Sequence, residues 1–333
     1  MIYLTKSLTL PPNCNLTDTR FIIDGVSNIV LDLNGSTLSS DGFNSAIFIS
    51  SSAASQTNYV TVKNGTLKGY GTAIFVHRDF TTQEFADLKN DPEGLWPSIQ
   101  ATAPHHINFE NLNIQQPKGT GVYVWVGASY VLINQCIIDG ARGPAVYLDM
   151  GSHHNTISNS TFSNGGFLNA DGTPRTGRGR REAIAVDGSY SNVITGNTIT
   201  GNAGGGIHLY SNCGEHVSSD PTYVPRIFDA EYNELDGNYV VNNGTTGGAV
   251  EIGKRVDWNL ESWDCAKPLY QQYLSFKYYW DNSGFNTVKS TTGDGEIFVR
   301  TDNNTLTSNQ QTVTVNSLVR TLAGDPLIGN LVS

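Results

Sequence analysis

Apolar residues recur along this 333-residue chain in pairs five positions apart, separated in most copies by a Gly or Asn. The copies are Leu33/Leu38, Val62/Leu67, Phe109/Ile114, Leu132/Ile137, Ile157/Phe162, Ile194/Ile199 and Leu235/Val240. Each is accompanied by a short apolar-x-apolar strand, such as Ile74/Val76, Val146/Leu148, Ile184/Val186, Ile207/Leu209 or Val250/Ile252. Where the spacing is tightest, one unit follows the next after 23 to 25 residues. A period of that size, built on short strands without helical periodicity, predicts an all-β solenoid. One domain over 1–333 is expected, with an entry cap at 1–30, coils over 31–300 and a closing segment at 301–333. In the cap, Phe21, Ile22 and Ile23 are expected to cover the first coil, because a solenoid must shield its open end.

Four insertions interrupt the rhythm. Residues 78–104, 213–230 and 254–282 each follow a strand of the alternating set, whereas 165–181 precedes the strand holding Val186. Long loops of this kind are usually functional. Trp96, Trp258, Trp263 and Trp280 lie in them. Two walls of aromatic loops flanking one sheet predict a groove, and aromatic faces suit sugar rings. The same aromatics would also serve simply to pack the loops down.

In each alternating strand the two apolar residues point inward, so the residues between and just after them point outward. Stacking the coils gives one outward column of Phe48, Phe75, Tyr123, Tyr147, Ala185, His208, Glu251 and Phe298. The next column reads Ser50, His77, Trp125, Asp149, Asp187, Tyr210, Gly253 and Arg300. Neighbours in a column should lie about 4.8 Å apart, and diagonal neighbours about 7–8 Å. His208 is thereby expected beside Glu251, and Asp149 beside Asp187. Ala185 should leave a gap between Tyr147 and His208 wide enough for a substrate ring. Stacked carboxylates are costly unless one is protonated, a cation lies between them or a basic loop covers them. The run Arg175-Thr-Gly-Arg-Gly-Arg-Arg181, leading into Glu182, supplies such a loop, as do Lys254 and Arg255 after Glu251.

Composition narrows the function classes. The net charge of −10 argues against nucleic acid as a partner. No run of 18 apolar residues is present to span a membrane. The N-terminus shows no signal-peptide core, although a removed signal would leave the same sequence. Thirty-five glycines and 15% charged residues suit many tight turns. Of four cysteines, none is in CxxC spacing, so zinc is not indicated. Cys136 reads as a packed free thiol. Cys213 and Cys265 lie in insertions after consecutive strands, and a disulfide between them would favour a secreted or extracytoplasmic location.

On coil length, Asn-rich turns such as Thr195-Gly-Asn-Thr-Ile199, and the strand ladder, residues 25–310 resemble the right-handed parallel β-helix class, the pectin-lyase-like fold. That resemblance implies a single-stranded right-handed parallel β-helix with loop insertions forming a groove. Much of the class consists of polysaccharide lyases, hydrolases, uronate epimerases and tailspike depolymerases, some of them trimeric, which leaves an oligomer open. Gly247-Gly-Ala-Val-Glu-Ile-Gly-Lys-Arg255, with Arg300 a coil later, is similar to a segment of the chondroitinase-B and alginate-lyase family. In that family the Lys is the base, which implies Lys254, although the spacing here departs from the family pattern.

The expected activity is cleavage of an anionic, uronate-containing polysaccharide by β-elimination. Arg181 and Arg255 would neutralise the uronate, with Arg180, Tyr147, Glu251 and Trp125 also binding substrate. His208 or Lys254 would take the C5 proton, and Tyr210 would protonate the leaving oxygen. No cofactor is required, but calcium could replace Arg if Asp149, Asp187 and Glu182 converge. The alternative is a glycoside hydrolase using Asp149 with Asp187 or Glu182 as acid and base. A third is a non-catalytic glycan-binding or tailspike-like module.

Overall fold

The computed structural model describes residues 1–42, 44–212, 227–242, 247–253, 281, 283–317 and 327–333. Within them the chain winds as a parallel β-solenoid. One sheet runs the length of the molecule in eleven strands, including Ile47–Ser51, Ile74–Arg78, Val122–Val124, Val146–Asp149, Ile184–Asp187, Ile207–Tyr210, Val250–Ile252 and Glu296–Val299. Consecutive members pair in parallel. After each of these strands the chain turns into a second face and then, through a tight corner, into a third. Asn58–Lys68 and His105–Gln115 run through that corner without a break.

The corner explains the five-residue pair. In the coil of Val62 and Leu67, both fully buried, Asn64 between them has φ of 60°. Asn111, Gln135, Asn159, Gly196, Gly237 and Ser290 repeat that left-handed conformation on later coils. Gly and Asn tolerate it best, hence their recurrence inside the pair. The residue after each turn points back inside, and there polar groups stack. Cys136 N–H donates to Ser160 Oγ, Ser160 N–H to Asn197 Oδ1, and Asn197 N–H to Asn238 Oδ1, at 3.0, 3.0 and 3.1 Å. A second ladder runs Asn155, Asn192, Asn233, Asn286 and Asn304, each backbone N–H donating to the next side-chain oxygen. These bonds satisfy buried polar groups at corners where strand pairing stops.

One pair is out of register with the sequence expectation. Ile133 and Ile138 are the inward residues of their coil, not Leu132 and Ile137, and Ile137 is 48% exposed. The pairings Phe109 to Ile133 and Ile114 to Ile138 show the slip. Both members of each doublet are apolar, so hydrophobicity cannot choose between them, and a one-residue slip reverses every side chain. Cys136 consequently faces inward, and burial pushes its thiol up to about 11.

The rungs also extend into both terminal segments. Phe21–Asp24 pairs with Ile47–Ser51 in the long sheet, so Phe21 and Ile23 are inward rung residues rather than a cover. At the other end Thr312–Val315 pairs with Glu296–Val299, and Leu331–Val332 with Thr305–Thr307.

The insertion at 78–104 is helical, against the expectation of a chain without helices. Helix α1 spans Thr82–Asn90 and α2 spans Pro92–Thr102. Thr81 and Glu84 form a reciprocal capping box that starts α1. Leu88, Trp96 and Ile99 form a small core with Val126 and Met150 of the solenoid. Trp96 is 2% exposed and packs edge-on against Phe228 at 5.0 Å between ring centroids. It anchors the helices and offers no face to a groove. Trp258, Trp263 and Trp280 lie outside the described residues.

Candidate functional site

The two outward columns have the expected register. Tyr123 pairs with Tyr147, Tyr147 with Ala185, Ala185 with His208, His208 with Glu251, and Asp149 with Asp187. Their surroundings differ from the expectation of an open groove floor. Asp149, Asp187 and His208 are completely buried, and Tyr210, Glu182 and Glu251 nearly so. Buried ionisable groups persist only with partners.

His208 lies between two carboxylates. Its Nδ1 is 3.7 Å from Glu182 Oε2, and its Nε2 is 3.4 Å from Glu251 Oε1. Glu182 precedes the strand Ile184–Asp187, and its other oxygen accepts a 2.9 Å hydrogen bond from the Tyr210 phenol. Arg300 Nη1 holds the far oxygen of Glu251, Oε2, at 2.9 Å, and the Gly248 N–H donates to Oε1, the oxygen nearer His208, at 3.0 Å. The result is a continuous polar row: Tyr210, Glu182, His208, Glu251, Arg300. Space for the imidazole depends on Gly205, which has φ of 105° and where a Cβ would stand 3.1 Å from His208 Nε2 and 2.4 Å from Gly248 O.

A second polar group lies on the neighbouring rungs. Tyr123 donates to Asp149 Oδ2 at 2.6 Å, and Tyr147 repeats the bond one coil on, to Asp187 Oδ2 at 2.7 Å. Asp187 also accepts from Asn212, through its backbone N–H at 2.7 Å and its side-chain amide at 2.6 Å. Neutral donors thus satisfy this stacked acidic pair. The three carboxylates considered for calcium are each engaged by a tyrosine. Among the described residues no group of three acidic, histidine or cysteine side chains is placed to hold a metal ion.

Ala185 leaves no open gap. It is fully buried, and the Tyr147 phenol reaches past it to Asp187 on the same strand, which its small side chain permits. Trp125 stacks on His77 at 4.7 Å and packs partly into the helical insertion's core. Arg180 and Arg181 are half-buried in the turn before Glu182, where the Arg181 carbonyl accepts from Gly204 N–H at 2.8 Å. Arg175 nearby is lowered in pKa, mainly by burial and then by Arg181. Lys254, Arg255, Cys213 and Cys265 lie outside the described residues.

Arg300, Asn212 and Tyr123 belong to the site although none was singled out as a site residue from sequence. Arg300 and Tyr123 could have been, since both stand in the outward columns diagonal to their carboxylates. Asn212 follows its strand, and its role depends on a local turn that periodicity does not encode.

The comparisons with known proteins concern the fold. No curated protein sequence matches the chain. An alginate lyase from Paenibacillus sp. is similar in structure at 12% identity, with 91% of each chain covered and a TM-score of 0.47. The Dettilon tailspike protein is similar at 12% identity, over 99% of this chain and 51% of that one, with a TM-score of 0.45. The catalytic domain of an α-1,3-glucanase is similar at 14% identity, over 92% and 54%, with a TM-score of 0.42. Thus the chain spans about half the length of the latter two. The sequence itself matches the right handed beta helix region family over residues 45–222, more than half of its length. With the coils and their parallel ladder in view, the chain belongs to that right-handed β-helix family.

Proposed function

We propose that the protein cleaves a uronate-containing polysaccharide by β-elimination, with His208 as the base. The observation that carries this reading is the position of His208 between Glu182 and Glu251, with Tyr210 on the far oxygen of Glu182. The two carboxylates flank the imidazole ring at 3.7 and 3.4 Å, and because the ring is fully enclosed this reading requires the groups over it to part and admit the sugar. In the reaction His208 takes the C5 proton of the uronate, the C5–H electron pair becomes the C4–C5 double bond, and the C4–O bond breaks with its pair going to the departing oxygen. The departing oxygen takes the Tyr210 phenolic proton, and the proton that His208 has gained returns to the phenolate by way of Glu182, which contacts both. Half-buried Arg180 and Arg181, in the turn before Glu182, are the cations assigned to the uronate carboxylate, together with Arg255. Lys254 remains an alternative base. Secretion or another extracytoplasmic location, and an anionic substrate, belong to this reading.

Glycoside hydrolysis is the second reading. It is favoured by the adjacency of Asp149 and Asp187 on neighbouring rungs. The three hydrogen bonds that Asp187 accepts from Tyr147 and Asn212 suit an anchoring carboxylate better than an acid or a nucleophile. Incubation with a panel of uronate and neutral polysaccharides separates the readings. Elimination produces new reducing ends together with the ultraviolet absorbance of an unsaturated uronate. Hydrolysis produces ends alone, and a binding module neither.

A further inference from the structure

The chain presents a cleft whose lining shares no residue with the buried histidine row. It has a volume of about 660 Å³ and lies along the turns that follow the third face. Ser39, Lys68 and Asp139 of its lining occupy one column of the ladder, in which Ser39 pairs with Lys68, and Lys68 and Asp139 each pair with Gln115. One wall is the insertion at 165–181, which contributes Phe167 and Leu168, 40% and 37% exposed.

Three cations line this cleft, one from each of three successive coils: Lys68, Lys118 and Arg142. Backbone bonds fix the turn residues in series. Lys118 N–H donates to Tyr70 O at 2.8 Å, and Arg142 N–H to Pro117 O at 3.0 Å. The Arg142 guanidinium is braced by Ala170 O at 2.5 Å, which ties it to the insertion. Two carboxylates share the lining. Asp139 is engaged by Ser163 and Asn164 at 2.6 and 2.8 Å, and Asp41 stands exposed. In a chain of net charge −10, a row of cations on consecutive coils is a local reversal of sign.

We infer that this cleft is a separate binding site for an anionic oligosaccharide, taking a carboxylated sugar chain along the coil axis. Lys68, Lys118 and Arg142 match charges that repeat along a polymer. Asp139 and Asp41 accept from sugar hydroxyls, and the exposed Phe167 ring covers an apolar sugar face. A DNA backbone lacks the array of hydroxyls from which the two carboxylates would accept, whereas a sugar chain supplies it. A volume of this size also falls in the range of small-ligand sites, about 300–1,000 Å³. The sugar class rests on the proposed function, whereas the site and its charge do not. The cleft would hold the polymer while another stretch of it reaches the histidine row.

The test is calorimetric titration of the full chain carrying His208→Ala, so that no turnover intrudes. The probes are hexasaccharides of mannuronate, galacturonate and the chondroitin repeat, with maltohexaose as the neutral control. At least one uronate probe should bind, weaken with added salt, and bind about tenfold less tightly after Lys68→Ala, Lys118→Ala and Arg142→Ala are combined. Phe167→Ala should weaken it without changing the salt dependence. Equal binding by the triple variant, equal binding of maltohexaose, or no binding of any probe would each overturn the inference. Polysaccharide cleavage by the wild-type chain, followed in parallel, reports on the function separately, because the cleft can fail while cleavage persists.

Discussion

The Tyr210 phenol donates to Glu182 Oε1 at 2.9 Å, joining two neighbouring coils through a carboxylate whose other oxygen faces His208. One hydrogen bond thus relates the assigned acid to the assigned base. Tyr210→Phe keeps the ring and its packing and removes only the donor. It should leave the chain folded, at a cost of about 1–3 kcal/mol for the carboxylate oxygen left unpaired. Turnover should fall about 10²–10⁴-fold with KM little changed, which steady-state kinetics will show.

The inner amide ladder predicts a different kind of loss. Asn233 Oδ1 accepts from both the backbone and the side chain of Asn192, and its own amide donates to Asn286 Oδ1 at 3.0 Å. Asn233→Ala strands these groups in the interior. Denaturant titration should show a loss of about 1–3 kcal/mol or more, since several buried groups lose partners together. Kinetic constants of the remaining folded protein should be unchanged.

The corner register is testable through adjacent residues. Ile138 is fully buried and Ile137 is 48% exposed. Ile138→Ala should cost about 2–5 kcal/mol, and Ile137→Ala within about 0.5 kcal/mol. Equal costs in the same denaturant titration would contradict the register.

This doublet marks the boundary of what the sequence discloses. The outward columns were legible because strand alternation has period two and coils stack in register, so His208 beside Glu251 and Asp149 beside Asp187 followed from counting. Counting failed at Leu132-Ile133 and Ile137-Ile138, where hydrophobicity is the same in both frames. It also could not show that the middle of the columns, from Asp149 to Glu251, is buried, because that depends on what covers it. Nor could it show where Tyr147 aims, because a long side chain reaches a diagonal neighbour as readily as an adjacent one. The helices of 82–102 had a readable start in Thr81 and Glu84, but they lie within a single insertion and so fall outside any search for a repeat.

Two groups, half-buried His153 and buried Asp281, give stability opposite slopes against pH. His153 stacks on Tyr190 at 5.2 Å, and burial, with His154 beside it, lowers its pKa from 6.5 to about 4. The folded state therefore binds fewer protons than the unfolded one, and stability falls as pH drops from about 6.5 toward 4. Asp281 is raised to about 7, chiefly by burial and further by Asp229, against the hydrogen bonds from Ser283. Its contribution is complete below about 4 and is lost as pH rises through 7. Asp281→Asn should therefore raise the melting temperature at pH above 7 relative to the wild type and lose that advantage in acid. His153→Phe should flatten the acid limb alone. Thermal melts across pH check both.

The central claim is that His208 removes a proton from the sugar ring. The most direct measurement compares the wild type with His208→Gln, which keeps a polar side chain but supplies no base, on the uronate polysaccharide that the wild type cleaves. Formation of the unsaturated product should fall about 10²–10⁴-fold while the folded state is retained. An undiminished rate in the variant, or wild-type products with saturated ends, would contradict it.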